Sequence, residues 1–204
     1  KYRNSGQTCV CANRIFVQEG IFEEYANALA EKVASFKIGD GFEENSDIGP
    51  LIDSNGLKKV ERHLQDAVSK GGTILVGGER SKIGELYFQP TVLTNLSENM
   101  IIFEEETFGP LAPLFKFKDE NEVIRMANDT NYGLAGYIFT KNLNRAWKIA
   151  EELQFGMVGI NSGILSTEVA PFGGVKESGI GREGAIEGID EYMEIKYLCF
   201  GNIE

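Results

Sequence analysis

The first half of the chain carries two stretches in which apolar residues recur at three- and four-residue steps. Phe22, Tyr25, Leu29, Val33 and Phe36 predict a helix over 20–36, ended by Gly39-Asp40-Gly41. Leu57, Val60, Leu64, Ala67 and Val68 predict a second over 54–70, with Ser54 as N-cap and Gly71-Gly72 as the stop. Thr73-Ile74-Leu75-Val76 reads as a short strand. Residues 87–94 read as extended, with Pro90 marking an edge or an irregularity.

The second half alternates more regularly. Asp119-Glu120-Asn121-Glu122 resembles a capping box and opens a helix through about Asn128. Residues 136–140 form an apolar strand, Asn142 caps a helix that buries Ala146, Ile149, Ala150 and Leu153, and 157–160 form the next strand. Strand, helix and strand in that order predict a parallel pair with a right-handed crossover, hence an α/β fold built as a layered open sheet. Residues 194–200 alternate roughly as a half-buried strand. An edge strand that pairs with another subunit and a strand of the same sheet are equally compatible with that pattern.

Composition narrows the function classes. With 42% hydrophobic residues in 204, the chain has the material for a core, and no apolar run approaches the ~20 residues of a membrane span. Twenty basic against 31 acidic side chains leave a net charge of −11, which excludes nucleic acid as a natural partner. Three cysteines do not make a disulfide framework, so a reducing, cytoplasmic setting is expected. The one histidine, His63, falls beside the apolar face of the second helix and reads as a surface residue. A single histidine also leaves no multi-histidine zinc site, and no metal is expected.

The densest chemistry lies at Asn4-Ser5-Gly6-Gln7-Thr8-Cys9-Val10-Cys11-Ala12-Asn13-Arg14. A thiol is a strong nucleophile only as thiolate, and small residues before Cys9 allow the close backbone approach that an oxyanion-binding amide requires. If 8–17 runs extended, Cys9 and Cys11 point to one face, and oxidation could join them and silence the nucleophile. By composition alone, a small buried hydrophobe is the commoner fate of a free cysteine. Taken alone, Glu104 to Glu106 is a solvated acidic run and Phe108 a core residue. Gly179-Ile180-Gly181-Arg182-Glu183-Gly184 fits a dinucleotide fingerprint but follows no strand, so it reads as a flexible loop leading into a helix.

Three segments together carry a resemblance. Gly6-Gln7-Thr8-Cys9 with Asn13-Arg14, then Glu104-Glu105-Glu106-Thr107-Phe108-Gly109-Pro110, then Pro171-Phe172-Gly173-Gly174-Val175-Lys176 through Glu183 resemble, in order, hallmark segments of the aldehyde dehydrogenase superfamily. Cys9-Val10-Cys11, Asn131 to Tyr137 and Gly188 to Tyr192 place the likeness nearest its succinate-semialdehyde group. The resemblance implies an NAD- or NADP-dependent oxidation in which Cys9 attacks the aldehyde carbon. It implies that Glu106 binds the nicotinamide ribose, that Phe108 lies beside the nicotinamide and that Arg3 holds the remote carboxylate of the substrate. It further implies help from a hydroxyl at Ser166 or Thr167, and Phe172 as a wall of the aldehyde tunnel.

The same resemblance implies a catalytic domain over 1–190 and an oligomerisation strand over 191–204, through which homo-oligomers form. The family's cofactor-binding domain, general-base glutamate and oxyanion-hole asparagine have no counterparts among these residues. Two function classes follow: the catalytic portion of a dehydrogenase for succinate semialdehyde, or a non-enzymatic fragment that only associates with other chains. Within the first class, glutarate semialdehyde or a general aliphatic aldehyde is the alternative substrate.

Overall fold

The computed structural model describes residues 1–202. Contacts divide the chain into two units, Lys1–Thr130 and Asn131 onward, and each is described by itself. In the first unit β1 (Ile15–Gln18), α1 (Phe22–Ala34), α2 (Ser54–Ser69), β2 (Thr73–Val76), β3 (Thr91–Thr94), α3 (Ile101–Glu104), β4 (Leu111–Phe117) and α4 (Glu120–Asn128) follow one another. The four strands form one sheet in the order β1-β4-β3-β2. β1 and β3 both run parallel to β4, and β2 runs antiparallel to β3.

The central strands are covered on both faces, and their sequences say why. Leu111 to Phe115 and Thr91 to Thr94 are buried without a break, as expected of strands with no polar face. Val92, Ala112 and Leu114 pack with Phe22, Ala26 and Val33 of α1. Leu93, Leu111 and Phe115 pack with Leu57, Val60 and Leu64 of α2 and Ile102 of α3. The extended segment over 87–94 narrows to a strand at Thr91–Thr94. Pro90 stands just before this strand, which is internal to the sheet, so it marks no edge.

Capping corrects one boundary and supports another. Asp53, not Ser54, caps α2: its carboxylate accepts from the backbone N–H groups of Asn55 and Gly56 at 2.9 and 2.8 Å. Asp119 caps α4 in the same way, and Glu122 reaches back to the N–H of Lys118 at 2.6 Å.

Arg14 closes the other end of α4. Its guanidinium donates to the carbonyls of Met126 and Ala127 at 2.8 Å and of Asp129 at 3.1 Å, and it stacks over Phe103 and Phe16. Burial draws its pKa down to about 10, which still leaves it charged at neutral pH. Arg14→Ala would strip three carbonyls of their donor and open a gap beside two rings. A loss of about 3 kcal/mol in a urea melt is expected; an unchanged midpoint would show that the helix end is held by other means.

The second unit contains β5 (Tyr132–Gly133), β6 (Ala135–Ile138), α5 (Leu143–Glu152), β7 (Met157–Ile160) and β8 (Val175–Lys176). β6 and β7 are parallel and joined through α5, as the strand-helix-strand pattern requires. Asn142 caps α5 by accepting from the N–H of Arg145; of the four residues expected inside, Ala146 and Ile149 are buried, while Ala150 and Leu153 are only partly so. β5 pairs antiparallel with β8. Residues 194–200 form no strand ladder in this chain, and their side chains are exposed. Alternation supplies the faces of a strand, but a strand also needs a neighbour to take its backbone hydrogen bonds. No helix among the described residues is long and apolar enough to cross a membrane.

Candidate active site

Cys9 projects from a loop whose backbone is forced into an uncommon shape. Asn4, Ser5 and Gly6 take φ values of 51°, 57° and 79° in succession, a left-handed run that costs energy at the two non-glycine positions. Several contacts hold it there. Ser5 Oγ donates to Gly49 O at 2.7 Å, Gln7 Nε2 to Pro50 O at 3.2 Å, and Ile52 N–H to Gln7 Oε1 at 2.8 Å. Tyr2 anchors the start, its hydroxyl donating to Thr91 O at 2.8 Å and its ring edge-on to Phe36. At Gly6 a β-carbon would lie 2.1 Å from Gly109 O, so only glycine lets the two loops touch.

The stretch expected to be extended over 8–17 is instead a tight turn, and the strand begins only at Ile15. Cys11 N–H donates to Thr8 O at 3.0 Å. A strand therefore does not present Cys9 and Cys11 on a common face. Cys9 is exposed, whereas Cys11 is partly buried, with its sulfur 2.7 Å from Thr8 Oγ1 and 3.7 Å from Arg3 O. Both are free thiols. Arg3 is exposed on this loop cluster.

The segment carrying Glu106 and Phe108 is fastened to the same loop. Asn13 donates to Glu105 O at 3.1 Å and accepts from Thr107 N–H at 2.9 Å. Burial alternates along the segment, with Thr107 inside and Glu106 and Phe108 exposed. Phe108 is 38% exposed and takes φ 50°, a rare setting for a bulky residue, which argues against a core role. Lys1 is a part of this cluster that sequence reading did not single out, and Gln7 and Asn13, read there only as members of a motif, prove to be the residues that pin the loop. Burial pulls the pKa of the Lys1 ammonium down to about 8, partly opposed by the charges of Cys11 and Glu106. An exposed carboxylate that can accept from a diol, next to an exposed aromatic face, is a donor set that fits a nicotinamide riboside.

His63 is not a surface residue. It is 0% exposed, with Nδ1 3.0 Å from Thr107 Oγ1 and Nε2 3.3 Å from Glu105 Oε2. Glu105 in turn pairs with Arg62. An imidazole can be buried cheaply only when both nitrogens find partners; here Thr107 and Glu105 come from a segment more than forty residues away, and the neighbouring Arg62 guanidinium also lies 3.4 Å from Nε2. Burial holds the pKa of His63 below the ordinary 6.5, partly opposed by Glu105. Unfolded chain therefore takes up the proton before folded chain does. Stability is untouched above about pH 6.5 and falls as pH drops below it, until the folded value is passed. A urea melt at about pH 5.5 should show less stability than one at about pH 7.5, and His63→Leu should flatten that difference. An equal slope in the variant would remove His63 as its source.

Ser166, Thr167 and Phe172 belong to the second unit. Ser166 and Thr167 lie on an exposed irregular loop. Phe172 is partly buried and exchanges two backbone hydrogen bonds of 2.7 Å with Glu183. Arg182 ties the same loop together by donating to Gly174 O at 2.8 Å. The glycine-rich stretch over 179–184 leads into a short 3-10 turn at Glu187–Tyr192 and supports no phosphate-binding helix. Among the described residues, no group of three or more His, Cys, Asp or Glu could hold a metal ion.

A family model described as the aldehyde dehydrogenase family matches residues 1–198. The chain belongs to the aldehyde dehydrogenase family. Among curated relatives, the mitochondrial succinate-semialdehyde dehydrogenase of Oryza sativa subsp. japonica is 58% identical over 203 residues, covering 100% of this chain and 38% of the relative. A glutarate-semialdehyde dehydrogenase of Pseudomonas aeruginosa is 53% identical over 203 residues, covering 100% of this chain and 42% of the relative. The crystal structure of a succinate-semialdehyde dehydrogenase from Burkholderia pseudomallei superposes with a TM-score of 0.96 at 54% identity, over 98% of this chain and 42% of that one. The chain thus spans about two fifths of the length of the aldehyde dehydrogenases it matches.

Proposed function

We propose that residues 1–204 are the cysteine-bearing portion of an NAD- or NADP-dependent dehydrogenase that oxidises succinate semialdehyde to succinate. One observation carries the reading: an exposed thiol, Cys9, stands on a strained loop pinned by Gly6 and Asn13 to the segment that exposes Glu106 and Phe108.

In this reading the thiolate of Cys9 adds to the aldehyde carbon and forms a carbon–sulfur bond, while the carbonyl oxygen takes the negative charge. The backbone N–H of Cys9 donates to that oxygen. Glu106 accepts from the ribose diol and Phe108 covers the nicotinamide. When bound, the cofactor accepts the hydride that leaves the former aldehyde carbon. Water then cleaves the thioester, releasing the carboxylate and restoring the thiol. Sulfur suits the task because it both adds readily and leaves readily. Arg3 meets the remote carboxylate with two parallel hydrogen bonds, for which its planar fork is suited. For Ser166, Thr167 and Phe172 the proposed substrate roles rest on the motif match alone. So does homo-oligomer formation through the exposed apolar residues Ile195, Tyr197, Leu198 and Phe200. Peroxide oxidation of Cys9 and Cys11 to a disulfide would block the nucleophile, and peptide mapping of treated protein would reveal the link.

Glutarate semialdehyde is the second reading, favoured by the Pseudomonas relative and because a guanidinium at Arg3 would meet a carboxylate whatever the chain length before it. The test is a chimera in which residues 1–204 replace the matching portion of the Burkholderia enzyme, assayed with both semialdehydes, butanal and both cofactors. Preference for succinate semialdehyde is expected. The 204-residue chain alone is expected to form no NAD(P)H with any aldehyde; turnover by it would overturn the division of labour proposed.

A further inference from the structure

We propose that His63 is a positioning residue for the cofactor-facing segment: its imidazole links α2 to Thr107, and through Thr107 sets the backbone from which Glu106 and Phe108 project. This rests on the reading of those two residues given above.

The geometry has three parts. Thr107 is buried and held twice, by its hydroxyl to His63 Nδ1 from α2 and by its N–H to Asn13 Oδ1 from the nucleophile loop. Its two neighbours in sequence are the two exposed residues that fit the nicotinamide riboside. On its other side, His63 faces the Glu105 carboxylate, itself fixed by Arg62, which donates to Oε1 at 3.3 Å and also pairs with Oε2. Nε2 lies within reach of both the Glu105 carboxylate at 3.3 Å and the Arg62 guanidinium at 3.4 Å, and Nδ1 lies 3.0 Å from the Thr107 hydroxyl, which can donate or accept to match either tautomer. The segment is therefore gripped at Glu105 and Thr107, on either side of Glu106.

A helix that needed only to pack would not place an imidazole here. Leucine would fill similar space next to Val60 and Leu64 without the cost of removing two ring nitrogens from water. No buried side-chain nitrogen or oxygen among the described residues lacks a partner, so the cost is fully compensated, but only while Thr107 and Glu105 stay in place. The charged groups around the imidazole are Arg62, Lys59 and Asp66 on its own helix and Glu105 on the facing segment.

The test compares His63→Leu, His63→Asn and Thr107→Val. In the 204-residue chain, amide hydrogen exchange over 105–109 should rise about tenfold in His63→Leu and in Thr107→Val, with α4 unchanged. His63→Asn keeps an amide that can meet the Thr107 hydroxyl and should restore most of the protection. In the chimera, His63→Leu should raise the KM for the cofactor about tenfold while kcat and the aldehyde KM move less than about twofold. Unchanged exchange over 105–109, a uniform rise that includes α4, or a local rise with an unchanged cofactor KM would each overturn the positioning role. If His63→Leu fails to fold, Thr107→Val decides by the same criteria. An unsubstituted chimera that oxidises no aldehyde, with exchange still rising locally in the variants, would sink the dehydrogenase reading and leave the mechanical role of His63 standing.

Discussion

Cys9→Ala in the chimera is expected to lower aldehyde oxidation by more than about a thousandfold, whereas Cys11→Ala should stay within about threefold of the parent. The asymmetry follows from where the two sulfurs sit. Cys9 is exposed at the tip of the turn, next to the loops that Gly6 and Asn13 hold together. Cys11 is partly buried and spends its sulfur on Thr8 and on the Arg3 carbonyl. Losing the Cys11 contacts loosens the loop, but losing Cys9 removes the atom to which, as proposed, the aldehyde bonds. A Cys9→Ala enzyme within tenfold of the parent, or a Cys11→Ala enzyme as damaged as Cys9→Ala, would reverse the assignment. Steady-state formation of NAD(P)H reads both.

Arg3→Ala should cut kcat/KM for succinate semialdehyde about a hundredfold and leave butanal within about twofold. A two-point hydrogen bond between guanidinium and carboxylate is lost only when the substrate has a carboxylate to offer. The contrast between the two aldehydes separates recognition from damage to the loop, since a distorted loop would slow both. Arg3 carries its side chain exposed while its carbonyl is held by Cys11, so truncating the guanidinium leaves the loop's own contacts in place. Equal losses on both substrates would remove Arg3 from substrate recognition.

What could be read from the sequence was what depends on neighbours within a turn or two. The period of α2, the box at Asp119 and Glu122, and the β6-α5-β7 crossover are local patterns repeated often enough to be unambiguous. The adjacent Asp53 and Ser54 are both good caps, and only the extended backbone at Asp53, φ −158°, decides between them. Partners distant in sequence were not legible. His63 sits beside an apolar stripe, and nothing near it announces that Glu105 and Thr107 will arrive to satisfy both nitrogens. The turn at Cys9 depends on contacts from Gly49, Pro50 and Gly109, so a pattern of small residues could suggest closeness but not the left-handed run at Asn4 and Ser5. At 194–200 the alternation was visible and the ladder is absent, because pairing requires a second strand that periodicity cannot supply.

The most direct measurement is stoichiometric alkylation of the chimera in a Cys11→Ala background, with peptide mapping to count the label at Cys9 and NAD(P)H formation followed on the same samples. Aldehyde oxidation should fall in proportion to label on Cys9 and reach zero when that site is full. Oxidation at full rate with Cys9 completely alkylated would contradict the assignment of Cys9 as nucleophile.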